Sequence, residues 1–308
     1  MNDIYQKTIS TNVSFKGIGL HSGKKSTINL HPAKEDTGII FKRVDLHKNN
    51  IIEANFRNVT SAKLCTTLEN SHGVRVSTVE HLLAALYITG VDNAIIEIDN
   101  EEIPIMDGSA KDFLEILNEV EVINLTKKRK YLQVTEKVEL LDGERKISIE
   151  PNESGFEVDF QLNYQNKIIG NQRNKINFFT DELEDVYLSR TFCLFQDIEK
   201  IKKNGLAKGG SLDNAIVVDD EKVLNENGLR NEKEFVNHKI LDLAGDFLLS
   251  GYRVLGKVKC FQGGHELTNM FLRKLLNTKS ATILNEFNEL IISDNKKSNQ
   301  INKIAVNA

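Results

Sequence analysis

Two four-residue stretches, Asp92-Asn93-Ala94-Ile95 and Asp213-Asn214-Ala215-Ile216, are identical, and the segments after each come in the same order. Each opens an apolar run. Each continues into a turn, Asp107-Gly108 in one case and Asn227-Gly228 in the other, and then leads to a helix-forming segment. A repeated order of elements is the mark of an internal duplication. It predicts an α+β chain of two similar domains. Around the first copy, short alternating runs at 11–15, 26–30, 39–42 and 51–54 predict antiparallel strands between Gly- and Asn-rich turns. A helix is expected over 78–88, with Ser77 as N-cap and Gly90 past its end, then a strand at 94–98 and a helix over 109–120. Around the second copy, strands are expected at 132–140, 145–149, 156–162 and 254–260, and helices at 181–187, 232–249 and 265–276. The domains would span 1–126 and 131–280, joined by a solvated charged linker at 127–130, with a partly polar tail at 281–308 that frays.

Composition narrows the class of protein. The chain has 308 residues, 40% of them hydrophobic, enough to bury real cores. Its 40 Lys+Arg against 44 Asp+Glu leave no basic excess to displace counterions from nucleic acid. No run of about 18 apolar residues spans a bilayer, and MNDIYQKTIS lacks the pattern of a signal peptide. Three cysteines with no CxxC, Cys65, Cys193 and Cys260, are expected as reduced thiols in cytoplasm.

Several segments can carry chemistry. On the helix at 232–249, Val236, Ile240, Leu241, Leu243, Ala244, Phe247 and Leu248 cover more than half the circumference. His238, Lys239, Asp242 and Asp246 occupy the remaining sector, as a solvent-facing stripe or as a site. His238 and Asp242 stand at i and i+4, the spacing at which a helix presents two ligands to Zn²⁺. Ser77-x-x-Glu80 reads as a capping box, which would account for Glu80 and leave His81 a half-buried helix residue. His265 follows Gly263-Gly264, either as a packed cap or as a catalytic imidazole; the latter needs an orienting acid, and Asp246 is the natural one. His31 and His47 read as exposed, His72 as a turn residue, and His21 lies in a glycine-rich bend. Thr191 is uninformative alone, and Lys208-Gly209-Gly210-Ser211 lacks the Walker spacing.

The segments acquire meaning in combination. Gly17-Ile18-Gly19-Leu20-His21-Ser22-Gly23, Leu64-Cys65-Thr66-Thr67-Leu68, Ser77-Thr78-Val79-Glu80-His81-Leu82-Leu83 and Ile103-Pro104-Ile105-Met106-Asp107-Gly108-Ser109 occur in that order. Arg190-Thr191-Phe192, Gly209-Gly210-Ser211, His238-Lys239-x-x-Asp242-x-x-x-Asp246 and Gly264-His265 come after them. Over roughly residues 5–276 the chain resembles the UDP-3-O-acyl-N-acetylglucosamine deacetylases, zinc amidases that commit bacteria to lipid A synthesis.

The resemblance implies that each of the two similar domains is a layered α+β sandwich, with helices packed between the sheets of the two domains and the active site at their junction. By motif match it implies His81, His238 and Asp242 as ligands of one zinc ion per chain, with a fourth position open to water. Glu80 then resembles the general base and His265 the general acid, held by Asp246; Thr191 meets the oxyanion and Lys239 adds positive charge. For the acylated UDP-amino sugar, the match implies an apolar passage along Phe192, Phe195, Ile198, Leu206, Leu212 and Val217, with Leu64 and Ser211 as further contacts. It sets Tyr164 against uracil. A cytoplasmic monomer is expected, with no nucleic-acid partner and no stable membrane insertion. Gln262 stands where relatives often carry a basic residue, and Lys208 falls in the passage segment where relatives can be apolar. His21 is an alternative to Asp242 as ligand, and Fe²⁺ competes for such a donor set. Two other functions share these residues: a non-catalytic nucleotide-sugar or acyl-chain binder, and a metal hydrolase of another acylated amine or a phosphoester. Released acetate, released phosphate or neither separates the three.

Overall fold

The computed structural model describes residues 4–153 and 155–284. Its α-helices are α1 (Glu80–Thr89), α2 (Lys111–Glu119), α3 (Glu184–Tyr187), α4 (Phe195–Lys203), α5 (Glu234–Leu248) and α6 (His265–Asn277). The first half of the chain builds a five-stranded sheet in the order Val13–Ile18, Lys25–Pro32, Ala94–Ile98, Ile39–Arg43, Ile51–Glu53. Successive pairs are antiparallel, antiparallel, parallel and antiparallel. In the second half, Val138–Asp142, Arg145–Glu150, Arg253–Phe261, Phe156–Asn163 and Asn171–Asn177 pair side by side in the same sequence of senses. In both, a buried helix precedes the central strand and a second helix comes after it: α1 and α2 in one half, α5 and α6 in the other. Each half is also closed by antiparallel pairing of its first and last described strands, Tyr5–Ile9 with Val122–Lys128 and Tyr131–Val134 with Ala281–Leu284.

The α+β class of two similar layered halves, with helices between the sheets, is therefore the fold. The four shared letters that suggested it are not equivalent positions. Ala94–Ile98 corresponds to the central strand Arg253–Phe261, whereas Ile216–Val218 pairs in parallel with Phe192–Leu194 outside the main sheets. Both asparagines tether loops instead. Asn93 Oδ1 accepts from the Gly38 N–H at 2.9 Å, and Asn214 Oδ1 accepts from the Ser211 N–H at 2.9 Å.

Other expectations change in detail. In the segment 127–130, Lys127, Lys128 and Lys130 are exposed, but Lys128 ends a paired strand and Arg129 is buried. The Arg129 guanidinium donates to Asp92 Oδ2 at 2.7 and 2.9 Å and to the Gly90 carbonyl at 2.7 Å, drawing the chain onto the end of α1. The run 132–140 is two strands, not one. The polar edge strand Asn171–Asn177 leaves no signal in the sequence, because an edge needs no apolar alternation. The tail begins as a strand, since Ala281–Leu284 completes a sheet; residues 285–308 lie outside the described residues.

The site depends on α1 and α5. Every residue of α1 but Ile88 is buried, and every residue of α5 but Lys239. Such all-round burial marks core helices, enclosed between sheets. They touch at Gly245, where an added Cβ would lie 2.1 Å from the Glu80 carbonyl oxygen and 3.1 Å from Ala84 N. Alanine ordinarily favours a helix over glycine by about 1 kcal/mol. Here the clash reverses that preference, and Gly245→Ala should cost about 1–3 kcal/mol of stability in urea unfolding. An equally or more stable Gly245→Ala protein would mean that the helices do not depend on this close approach.

Candidate active site

The first turn of α1 carries Glu80 and His81. The expected capping box is absent, because Ser77 ends the strand Arg75–Ser77 and α1 begins at Glu80 with no side-chain cap. Thr78, at φ 57°, turns the chain sharply between strand and helix. Freed from capping, the Glu80 carboxylate lies buried inside the molecule, where Oε2 accepts the Thr66 N–H at 3.0 Å.

α5 brings its polar sector to the same place. His81 Nε2 and His238 Nε2 lie 3.5 and 3.4 Å from Asp242 Oδ1, and the imidazoles meet edge to face at 5.0 Å. One donor atom from each of these residues falls within 4.8 Å of the others, and all three residues are buried. The Ser189 carbonyl, 3.1 Å from His238 Nδ1, favours the tautomer that leaves the Nε2 lone pair free. Lys239 Nζ donates to Asp242 Oδ2 at 2.8 Å, while Asp242 Oδ1 and His81 Nδ1 are buried without a hydrogen-bond partner among the described residues. An orphaned carboxylate oxygen facing two imidazoles fits a divalent cation, and two nitrogens with one oxygen suit zinc. The solvent-stripe alternative for α5 falls with this burial.

Charge is arranged to match. Burial holds the His238 pKa down to about 3, so the ring is neutral and able to ligate. Burial also disfavours the Asp242 carboxylate, but His238, Lys239 and His265 hold its pKa well below the usual range. Glu80 moves the other way, raised chiefly by burial. His265 starts α6, its Nδ1 2.8 Å from Asp246 Oδ2 and its Nε2 3.7 Å from both Glu80 Oε1 and Asp242 Oδ2. Burial opposes its charge, yet Asp246, Glu80 and Asp242 raise its pKa to about 10.

This pocket, lined also by Leu20, His21, Leu64, Thr78, Ile105 and Thr191, adjoins an apolar cavity of about 350 Å³. Leu20, His21, Leu64 and Thr191 line both. Phe192, Phe195, Ile198, Ser211, Leu212 and Val217 line the larger one, Phe195 with 57% of its surface exposed. Leu206 and Lys208 are not among its lining residues; the cation there is Lys202, on α4, a helix not expected from the sequence. Tyr164 stands behind Phe192, ring centroids 6.0 Å apart, and Lys239 Nζ sits 5.5 Å over the Phe192 ring. Gln262 turns its amide to the Asn163 carbonyl.

Thr191 is tied down from both sides. Its N–H donates to the Gly108 carbonyl at 2.7 Å, and neighbouring Arg190 pairs with buried Glu234 of α5 at 2.8 Å. His21 is placed by Glu102, a buried carboxylate that accepts the His21 and Ser22 N–H groups at 2.7 Å each and the Thr78 hydroxyl at 3.0 Å. It lines the pocket but is not part of the ligand trio. Thr66, Ser189, Glu102 and Gly245 carry no spacing signal in the sequence; their contacts are made only by the fold.

A candidate metal-ligand trio beside a carboxylate and an imidazole is the donor set of a metal-assisted hydrolase. The family model described as UDP-3-O-acyl N-acetylglycosamine deacetylase matches residues 6–277, and the chain belongs to that family. It is 44% identical over 281 residues to the UDP-3-O-acyl-N-acetylglucosamine deacetylase of Pseudoalteromonas translucida, covering 90% of this chain and 92% of that one. Similarity to the enzymes of the same name from Pasteurella multocida (42%, with 90% and 92% covered) and Shewanella violacea (41%, with 92% and 94% covered) is of the same order.

The ligand geometry makes a direct forecast. His81→Ala should purify with most of its metal lost, whereas Glu80→Ala should stay loaded, as read by elemental analysis. Unchanged metal content in His81→Ala would remove it from the ligand set.

Proposed function

We propose that this chain hydrolyses the N-acetyl group of UDP-3-O-(3-hydroxyacyl)-N-acetylglucosamine in lipid A biosynthesis, releasing acetate and UDP-3-O-acyl-glucosamine, with one zinc ion held by His81, His238 and Asp242. One observation carries the reading: the buried His–His–Asp trio stands within reach of a carboxylate and an imidazole, at the mouth of an apolar cavity. Family membership and the names of the relatives support the substrate. Zinc in such a site polarises a carbonyl as a Lewis acid and lowers the pKa of water to about 7.

The chain's own groups divide the proton work. Glu80, its pKa raised by burial, takes a proton from the attacking water. His265, held protonated by the carboxylates around it, donates from Nε2 to the departing amine while Asp246 keeps Nδ1 engaged. Thr191 offers a hydroxyl to the oxygen that gains charge, and Lys239 adds a fixed cation. Phe192, Phe195, Ile198, Leu64, Ser211 and Val217 enclose the acyl chain, and Tyr164 serves the uracil end. Residues 1–126 and 131–280 act as two domains that share the metal, so the site is complete within a monomer. The nucleotide-activated substrate and three unpaired cysteines support a cytoplasmic location. Among the described residues, no helix is long and apolar enough to cross a membrane.

Acetate release from purified protein should vanish on chelation and return with stoichiometric zinc; a folded, zinc-loaded sample that releases none would overturn the reading. The base must be ionised and the acid protonated. Activity therefore rises as pH climbs through a Glu80 pKa above 4.5 and falls as pH passes a His265 pKa above 6.5. Glu80→Ala should lower kcat by about 10²–10⁴ and abolish the acidic limb; near-normal turnover would clear Glu80 of this role. Val217→Trp should raise KM for long-chain substrates more than for short-chain analogues, and equal effects on both would argue against this cavity as the acyl site.

A further inference from the structure

A single threonine touches both Glu80 and the carboxylate that holds His265. Thr66 is 1% exposed and sits two residues past Leu64, whose left-handed backbone (φ 63°) turns the chain inward. Its backbone N–H donates to Glu80 Oε2 at 3.0 Å and its Oγ1 donates to Asp246 Oδ1 at 2.7 Å. The second oxygen of each carboxylate faces the same imidazole: Asp246 Oδ2 is 2.8 Å from His265 Nδ1, and Glu80 Oε1 is 3.7 Å from His265 Nε2. Thr66, Glu80, His265 and Asp246 thus form a closed ring drawn from four segments: the loop at Thr66, α1, α6 and α5.

We infer that Thr66 is a positioning residue for the hydrolysis proposed above, setting the distance and orientation between the Glu80 carboxylate and the His265 ring. The inference rests on that reading of the reaction. Each carboxylate has two oxygens and can swing about its terminal bond. Anchoring one oxygen on Thr66 aims the other. The hydroxyl is the only donor to Asp246 Oδ1 among the described hydrogen bonds, so its loss leaves a buried carboxylate oxygen without a partner there. Asp246 would then turn, and the His265 ring it holds would leave the line between leaving amine and base. The backbone N–H to Glu80 survives any side-chain change, so substitution at this position tests the Asp246 arm alone.

Thr66→Val keeps shape and removes the hydroxyl; Thr66→Ser keeps the hydroxyl. Thr66→Val should lower kcat for acetate release about 10- to 100-fold, the scale of a hydrogen bond to a charged group. KM and zinc content should be unchanged, and Thr66→Ser should stay within a few-fold of wild type. A second readout needs no turnover. In ¹⁵N-histidine-labelled protein, the His265 Nδ1–H resonance should be protected from water exchange in wild type and Thr66→Ser, and lose that protection in Thr66→Val. Wild-type kcat in Thr66→Val, a loss confined to KM or zinc, equal damage in both variants, or an unaltered His265 resonance would each overturn the inference. If wild type itself releases no acetate, the proposed reaction fails, while the resonance still reports on whether Thr66 holds the Asp246–His265 pair.

Discussion

The close approach of α1 and α5 is the contact on which the rest of the molecule depends. Two helices from different halves of the chain, each buried almost all round, meet where Gly245 lets the Glu80 carbonyl come within what would be the radius of a side chain. His238, Asp242 and Asp246 are set one turn apart along α5, and Glu80 and His81 open α1. Once the helices cross at Gly245, the spacing within each helix does the remaining alignment. The two sheets and the outer helices α2 and α6 hold that crossing in place. Arg253 of the second half adds a clamp, donating to the Leu86 and Tyr87 carbonyls at the end of α1.

Such a junction gathers charge that an ordinary core would reject. Glu80, Asp242 and Asp246 are each at most 4% exposed, within a few ångströms of one another's partners. Burying carboxylates is costly unless opposite charge and hydrogen bonds offset it. Lys239 and His265 provide the charge, and Thr66 provides hydrogen bonds to both Glu80 and Asp246. Among the described residues, seven buried side-chain polar atoms lack a hydrogen-bond partner, and three of them, Asp242 Oδ1, His81 Nδ1 and His21 Nε2, belong to residues of this pocket.

Much of this was legible along the chain. Alternating runs located most strands, because one face of each is buried and the period of two survives in the letters. The i, i+4 pair His238 and Asp242 is visible to anyone who counts helix turns. Reading Ser77 and Glu80 as a capping box failed because the spacing of a cap and of a site residue can coincide: the backbone at Thr78 turned Glu80 inward and left Ser77 in a strand. The repeat of four letters suggested the correct architecture from positions that are not equivalent, since the duplicated features are strand pairing and order, which many sequences satisfy. The strand Asn171–Asn177 and helix α4 were not legible because neither buries an apolar face in the main core.

What the amino-acid sequence determined by itself is local: which stretches alternate, where helices of the right period run, and which motifs occur together in the order of a known family. Those properties need no knowledge of distant partners, since a helix face or a strand face is set by neighbours three, four or two residues away. What only the tertiary structure decided is adjacency across the chain. Thr66 reaches Asp246 across 180 positions, Ser189 turns the ring of His238, and Lys202 rather than Lys208 faces the apolar cavity. Hydrogen bonds and steric contacts act over a few ångströms. Residues far apart in the sequence acquire a shared role only when packing has brought them that close.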